Sequence, residues 1–145
     1  MIATEADLAR FDEKGCWEFP PNFDYNARDR EARELHIELE KKLGRSLGFE
    51  DGCSNQDASF SWDIILQSTE EAMQVIQNCL RISNYGNLVA VTDSEYENGE
   101  ECKAVFEVCS EHGFLPVPSA LLERKYDGVN GESFPSWWNR YFDWL

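Results

Sequence analysis

The clearest pattern of apolar and polar positions lies in residues 28–43, and it predicts an α-helix. Its apolar residues recur at helical spacing and form one stripe for burial. They are Ala32, Leu35, Leu39 and Leu43. Gly44 stands where a helix end favours a left-handed residue. Ahead of this helix, Thr4 and Asp7 predict a short helix over residues 4–11, because Thr4 can cap its first turn.

Strands are predicted where apolar and polar residues alternate. The longest alternation covers residues 58–66 and places Asp63 on a solvent-facing side of the sheet. A short alternating run at 47–49 precedes it, and the wholly apolar residues 88–91 predict a buried strand. Residues 16–19 predict a further short strand, which ends at two prolines that cannot donate to a sheet.

Two more helices are predicted in the second half of the chain. Residues 69–83 come directly after Ser68, which has the spacing of a capping box with Glu71. Their apolar residues recur at helical intervals. Residues 98–112 begin in the same way and end before Gly113. The proline-containing segment that follows predicts a short edge strand.

The order of these elements over residues 16–92 is strand, helix, strand, strand, helix, strand. This order predicts an α+β fold of the ferredoxin-like (split βαβ) type, an antiparallel sheet with both helices on one face. The prediction is a single domain over residues 1–145, in which residues 98–145 add a helix, an edge strand and an aromatic C-terminal helix. The alternative is a small three-layer α/β fold, in which the helices at 69–83 and 98–112 are right-handed crossovers.

Aromatic residues are concentrated at the C-terminus, where six of the last twelve residues are aromatic. On a helix they form two stripes. One stripe can close the core, and the other requires cover from N-terminal aromatic residues or from a partner chain, such as a second copy in a homodimer. The candidate residues for an aromatic interface or pocket are Trp62, Trp137, Trp138, Tyr141 and Trp144.

Charge narrows the classes of partner. The 145 residues include 28 acids and 13 bases, a formal net charge of −15. This excess argues against unaided binding to nucleic acid or anionic lipid, because each needs a basic face. No apolar run reaches the roughly 18 residues of a membrane helix, and the first residues lack the pattern of a signal peptide. The five cysteines, an odd number, then indicate reduced thiols and a cytoplasmic location.

Residues 46–102 hold eleven acids and one base, which is most of the net charge. Five of these acids fall between Asp93 and Glu101. Such a surface can steer and bind a basic protein, and a solvated surface that keeps the chain soluble would use the same charges. The candidate contact residues for a partner are Asp63, Asp93, Glu95, Tyr96 and Glu97.

The sequence carries no motif for catalysis, a cofactor or a metal. The glycine motifs that bind phosphates and dinucleotides, and the GxSxG motif of serine hydrolases, are absent. Cys102, Cys109 and His112 share one side of a predicted helix but lack the closely spaced pairs of a structural zinc site. The sequence therefore favours a non-enzymatic protein without a cofactor. The alternative is a small-molecule-binding domain or enzyme with an aromatic pocket around Trp62, Trp137 and Trp138.

Two resemblances bear on function. The helix–strand–strand–helix spacing over residues 28–83, followed by Tyr126-Asp127-Gly128, resembles small regulatory domains of the RNase E regulator B type. The acidic charge and small size resemble immunity proteins, which neutralise basic bacterial toxins. The resulting hypothesis is a non-enzymatic, acidic protein-binding domain of the cytoplasm. Its most concrete form is an inhibitor or immunity-type protein directed against a basic, nuclease-like partner.

Overall fold

The computed structural model describes residues 1–51 and 62–143. Within these ranges the helices are α1 (Glu5–Arg10), α2 (Tyr25–Leu43), α3 (Glu100–Glu111), α4 (Ser119–Leu122) and α5 (Trp137–Tyr141). The strands are β1 (Gly48–Glu50), β2 (Trp62–Glu71), β3 (Gln74–Ile82), β4 (Leu88–Val91) and β5 (Leu115–Pro116). Short 3-10 turns occur at Tyr96–Asn98 and Gly131–Ser133. The predicted mixture of helices and sheet is confirmed.

The five strands form one sheet in the order β1-β2-β3-β4-β5. Neighbouring strands from β1 to β4 are antiparallel, and β5 is parallel to β4. The chain crosses from β4 to β5 through α3, as the three-layer alternative expects of the helix at 98–112. The ferredoxin-like order is not found, because the chain from β1 to β4 runs as consecutive antiparallel strands.

The prediction of a helix over residues 69–83 is wrong. This segment is the end of β2, a two-residue turn and β3, with Glu71 paired to Gln74 across the turn. Ala72 and Met73 have φ values of +49° and +67°, the left-handed conformation that a tight hairpin turn requires. The helical spacing of the apolar residues is also compatible with a strand, since Leu80 and Ile82 alternate into the core.

One face of the sheet packs against α2 and α3. The helix predicted at 28–43 is confirmed and begins earlier, at Tyr25, where Asp24 caps it by accepting the N–H of Ala27 at 3.0 Å. Ala32, Leu35 and Leu39 of its predicted apolar stripe are buried, Leu43 is half-buried, and Gly44 ends the helix with a φ of +68°. The buried sheet residues opposite the two helices include Trp62, Ile64, Leu80 and Ile82. This face therefore has the helical layer that the alternation in β2 predicts.

The opposite face of the sheet is also covered, by α1, α4, α5 and the loops between them. These elements form what is called the C-terminal layer below, since most of them follow β5. Its buried residues include Leu8 from α1, Leu122 from α4 and Tyr141 from α5. Hydrogen bonds between residues far apart in the sequence hold this layer in place. Ser83 Oγ donates to the carbonyl of Tyr141 at 2.7 Å, and Ala3 N–H donates to the carbonyl of Pro116 at 2.8 Å. The sheet is thus sandwiched between two layers rather than exposed on one side.

The remaining predictions divide between confirmed and wrong. The short helix predicted over residues 4–11 is α1, with Thr4 at its N-cap and Thr4 N–H donating to Asp7 Oδ2 at 2.8 Å. The strand predicted at 16–19 is wrong, because these residues form no strand. The aromatic C-terminal helix is α5, which begins after Ser136, whose side chain accepts the N–H of Asn139. The predicted strand residues 58–61, as well as Cys53 and Trp144, lie outside the described residues.

Candidate partner-binding surface

The hairpin of β2 and β3 extends beyond the rest of the sheet as an arm, defined as residues 67–77. Every residue of the arm is exposed, whereas residues 62–66 and 78–82 of the same strands are buried or half-buried. The most exposed apolar side chains of the arm are those of Met73, Val75 and Ile76. Two strands are therefore core at one end and solvated at the other.

The acidic loop, residues 93–99, joins β4 to α3. Asp93 Oδ1 accepts the backbone N–H of Glu95 at 3.0 Å, which fixes the turn after β4. The carboxylate of Glu97 accepts the N–H of Ser119 at 2.8 Å and its hydroxyl at 3.0 Å. Glu97 therefore attaches the loop to the start of α4, while the carboxylate of Glu95 stays exposed.

Glu101, at the start of α3, connects the acidic loop to the base of the arm. The hydroxyl of Tyr96 donates to Glu101 Oε2 at 2.6 Å, and Arg45 Nη1 donates to Oε1 at 2.6 Å. Arg45 Nη2 also donates to the carbonyl of Leu66, the last buried residue before the arm, at 2.9 Å. The Arg45 hydrogen bond lowers the pKa of Glu101 against the opposing effect of burial, and Tyr96 lowers it further.

Asp63 does not face solvent as predicted, because the C-terminal layer covers its side of the sheet. Its carboxylate accepts hydrogen bonds from Arg81 Nε at 2.9 Å and Nη2 at 3.0 Å. The guanidinium of Arg81 lies 5.7 Å from the centroid of the Trp138 ring. Asp63 is 8% exposed, so its negative charge is balanced inside the protein.

Acids of the arm and of the acidic loop have no ion-pair partner among the residues that the structure describes. These acids are Glu70, Glu71, Asp93, Glu95 and Glu97. By contrast, α2 holds five acids and five bases, and several of them pair, as Asp29 does with Arg33 at 2.9 Å. The arm and the acidic loop therefore both carry negative charge that no ion pair balances within the described part of the chain.

A cleft of about 430 Å³ separates the arm from the acidic loop. Thr69 and Ile76 line it from the arm, and Asp93 and Ser94 line it from the loop. Thr69 and Ile76 are cross-strand partners and share one face of the hairpin. The cleft therefore combines an apolar contact, hydroxyl groups and a carboxylate.

Asn78 lines this cleft and is 5% exposed. Its Oδ1 accepts the backbone N–H of Asp93 at 3.2 Å and lies 3.5 Å from Oγ1 of Thr92. Its Nδ2 has no hydrogen-bond partner among the described residues. A buried amide donor without a partner costs free energy, so this nitrogen can bind an acceptor from a ligand.

The aromatic candidates do not form one pocket. Trp62 is fully buried beneath α2, with Nε1 donating to Asp29 Oδ1 at 2.9 Å. Trp137 and Tyr141 are buried on the opposite face of the sheet, and Trp138 packs there partly exposed. The sheet therefore separates Trp62 from the other three, and this chain's own residues cover Trp137 and Tyr141.

Arg140 anchors the C-terminal layer through an ion pair with no exposed surface. Its Nε donates to Asp12 Oδ1 at 2.7 Å, and both side chains are buried to 1% exposure or less. Asp12 Oδ2 also accepts the hydroxyl of Tyr126 at 2.6 Å and the N–H of Val129 at 3.0 Å. The charges are therefore fully hydrogen-bonded, and this cluster joins the N-terminal and C-terminal segments.

The cysteines that the structure describes are buried or half-buried. Cys16, Cys79, Cys102 and Cys109 are free thiols, and burial raises the pKa of Cys79 and of Cys102 to about 12. Such thiols are poor nucleophiles at neutral pH. Within residues 1–51 and 62–143, no group of three His, Cys, Asp or Glu side chains is arranged to hold a metal ion.

Comparison with known proteins supplies no relative. No protein-family model matches the chain, and neither the curated proteins nor the solved structures contain a match. Among the described residues, no helix is both long and apolar enough to cross a membrane. The geometry of the arm and the acidic loop is therefore the guide to function.

Sequence reasoning identified the acidic loop but missed the arm and Asn78. The turn residues Ala72 and Met73 include no Gly, Asn or Asp, which are the usual signals of a hairpin turn. The β-branched residues Thr69, Val75 and Ile76 on either side of that turn were the available signal for strands. Nothing in the sequence marks Asn78, because its role depends on the turn at Asp93.

Proposed function

We propose that this protein is a non-enzymatic binding domain whose acidic surface engages a basic protein partner. The observation that carries the proposal is the group of five acids on the arm and the acidic loop without ion-pair partners in the described part of the chain. Unbalanced charges of one sign attract an oppositely charged surface and speed association. The separate support of the loop by Glu97 and Glu101 leaves Asp93 and Glu95 available for contact.

In its most concrete form, the proposal is an inhibitor or immunity-type protein that neutralises a basic, nuclease-like partner. A nuclease carries a basic face for its substrate, and an acidic inhibitor can occupy that face. A preformed surface suits this role, because little ordering is required when the partner binds. The hydrogen bonds of Asp93 and Glu97 hold the acidic loop in such a preformed state. Free thiols at four described cysteines support a reducing compartment such as the cytoplasm.

A charge-matched pair of variants tests the acidic surface. Asp93→Lys with Glu95→Lys reverses the loop, and Glu34→Lys with Glu132→Lys makes the same change in net charge at exposed positions elsewhere. Each immobilised protein is exposed to host lysate and eluted with a salt gradient. We expect the wild type and the control variant to retain the same basic protein, which elutes sharply with rising salt, and the loop variant to lose it.

The purified partner then gives the rate of association with each variant. We expect the loop variant to associate at least about tenfold more slowly at low salt, with a smaller salt dependence, since steering acts mainly on this rate. Equal retention and equal rates for the loop and control variants would refute the proposal, as would capture of no basic protein by the wild type. Unchanged melting temperatures confirm that the variants remain folded.

A further inference from the structure

The edge of β3 that faces β4 is open along the arm. Thr92 N–H donates to the carbonyl of Cys79 at 2.9 Å, and Ser83 N–H donates to that of Leu88 at 3.0 Å, so Cys79 in β3 and Ser83 directly after it both face β4. Alternate residues of a strand direct their N–H and C=O groups to the same edge. Val75 and Gln77 therefore direct theirs to this edge, beyond the point where β4 and Thr92 end.

This open edge lacks the usual protection against pairing with another chain. No described strand pairs with β3 on this side between Gln74 and Asn78, because the register of β4 stops at Leu80. Natural edges are commonly blocked by lysine, proline or a bulge, and residues 74–77 contain neither lysine nor proline. The register irregularity of this hairpin lies in β2, between Ile65 and Gln67, and leaves β3 regular.

The cleft beside the edge has the chemistry to orient an extended peptide. Oδ1 of Asn78 is held by the N–H of Asp93, which fixes the amide and leaves Nδ2 as the donor for a carbonyl oxygen. The backbone groups of Val75 and Gln77 complete a row of donors and acceptors. Ile76 supplies an apolar contact, and the carboxylate of Asp93 lies at the opposite wall.

Charge complementarity selects the occupant. The arm carries Glu70 and Glu71, and the facing loop carries Asp93 and Glu95, with no ion pair to any of them in the part of the chain that is described. A second copy of this chain would bring the same charges edge to edge, which is unfavourable. A segment rich in lysine or arginine would instead balance them.

We propose that the open edge of β3, at Val75–Gln77, binds a basic segment of the partner in extended conformation as an additional strand. The inference rests on the proposed function and specifies how the partner is recognised: by backbone hydrogen bonds to the edge and by one side-chain amide at Asn78. Main-chain pairing supplies affinity in this mode, and the side chains of alternate residues supply specificity.

Amide exchange on the wild-type protein provides the first test. The probe is a short peptide of alternating lysine and threonine, and the control peptide has glutamine in place of lysine. We expect the lysine peptide to slow exchange of the Val75 and Gln77 amides at least about tenfold, while the amides of Ile76 and Asn78, which face β2, change little. Absence of selective slowing at Val75 and Gln77 would overturn the proposal. A molecular mass in solution that corresponds to a dimer of the protein without peptide would also overturn it.

Two variants separate the edge from the charge. Val75→Pro removes an edge N–H that the hairpin does not use, and Val75→Thr is its matched control. Asn78→Asp keeps the acceptor for Asp93 N–H but replaces the free donor and adds a negative charge. We expect Val75→Pro and Asn78→Asp to bind the lysine peptide about tenfold more weakly than Val75→Thr and the wild type, although Asn78→Asp is the more acidic protein.

The outcomes distinguish this inference from the proposed function. If Val75→Pro and Asn78→Asp bind the lysine peptide as well as their controls while the Asp93→Lys, Glu95→Lys variant does not, the strand-addition mode is wrong and the acidic surface stands. If the lysate partner is lost by the loop variant but retained by Val75→Pro and Asn78→Asp, the same conclusion follows. Melting curves check that each variant folds, and the exchange experiment on the wild type needs none of them.

Discussion

The two ends of the β2–β3 hairpin differ although the same two strands build both. At one end, residues 62–66 and 78–82 are covered on both faces, by α2 and α3 on one side and by the C-terminal layer on the other. At the other end, the arm is exposed on both faces. The covered end carries paired charges such as Asp63 with Arg81, and the acids of the arm have no ion-pair partner among the described residues. Burial and charge pairing therefore stabilise one end, and the recognition that we propose uses the other.

The largest effect is expected inside the layer that covers this end of the hairpin, where the buried pair of Arg140 and Asp12 joins its C-terminal and N-terminal segments. Removing one partner of a buried ion pair leaves a charge without compensation, which costs about 3–5 kcal/mol. Arg140→Ala is therefore expected to lower the free energy of unfolding by about that amount in urea titration. Asp12→Asn with Arg140→Met, which removes both charges, is the control and should recover part of the loss. A loss below about 1 kcal/mol for Arg140→Ala would show that the layer does not depend on this pair.

The comparison is sharpened by one substitution made at both ends of the hairpin. Ile64 is fully buried and Ile76 is 51% exposed. Ile64→Ala is expected to cost about 2–5 kcal/mol in the free energy of unfolding, because it leaves a cavity, and Ile76→Ala less than about 0.5 kcal/mol. Both are measured by urea unfolding. Similar losses at the two positions would contradict the division into a covered end and a solvated arm.

The sequence predicts the β2 half of the covered end and the helix α2 because burial leaves a periodic signal there. The alternation of Trp62, Ile64 and Leu66 matches a buried strand face, and the stripe of α2 matches a helix that covers it. The arm leaves no such signal, since exposure on both faces removes the constraint on every second residue. The helical spacing of Ala72, Ile76 and Leu80 then suggested a helix, and long-range pairing with β2 overrode it.

The ferredoxin-like prediction leaves the second face of the sheet exposed to solvent, and it does so for a different reason. A strand that is covered on both faces can still alternate apolar and polar residues. It does so where the charged residues of one face form ion pairs, as Asp63 and Arg81 do. The sequence pattern cannot distinguish a polar residue that is solvated from one that is ion-paired beneath a distant segment. The residues that cover this face, Tyr141 and Phe142, lie some 60 to 80 positions further along the chain. The candidate acidic residues of the loop were accessible to sequence reasoning because local charge needs no tertiary information.

The smallest effect is expected at the junction between the two ends, where Arg45 donates both to Leu66 and to Glu101. The Arg45 hydrogen bond lowers the pKa of Glu101 below its usual value of 4.5. A carboxyl with a lowered pKa in the folded state stabilises the protein fully above its unfolded-state pKa, and this stabilisation is lost as pH falls through the folded-state pKa.

Glu101→Gln should therefore be less stable than the wild type near neutral pH, by less than about 1 kcal/mol because the pair is partly solvated. The difference should shrink once the pH falls below 4.5. Urea titrations at a series of pH values measure it, with the exposed Glu34→Gln as control. A difference that stays constant down to acidic pH would mean that Glu101 acts here through packing and not through its charge, and the acidic loop would then lack an electrostatic tie to the covered end.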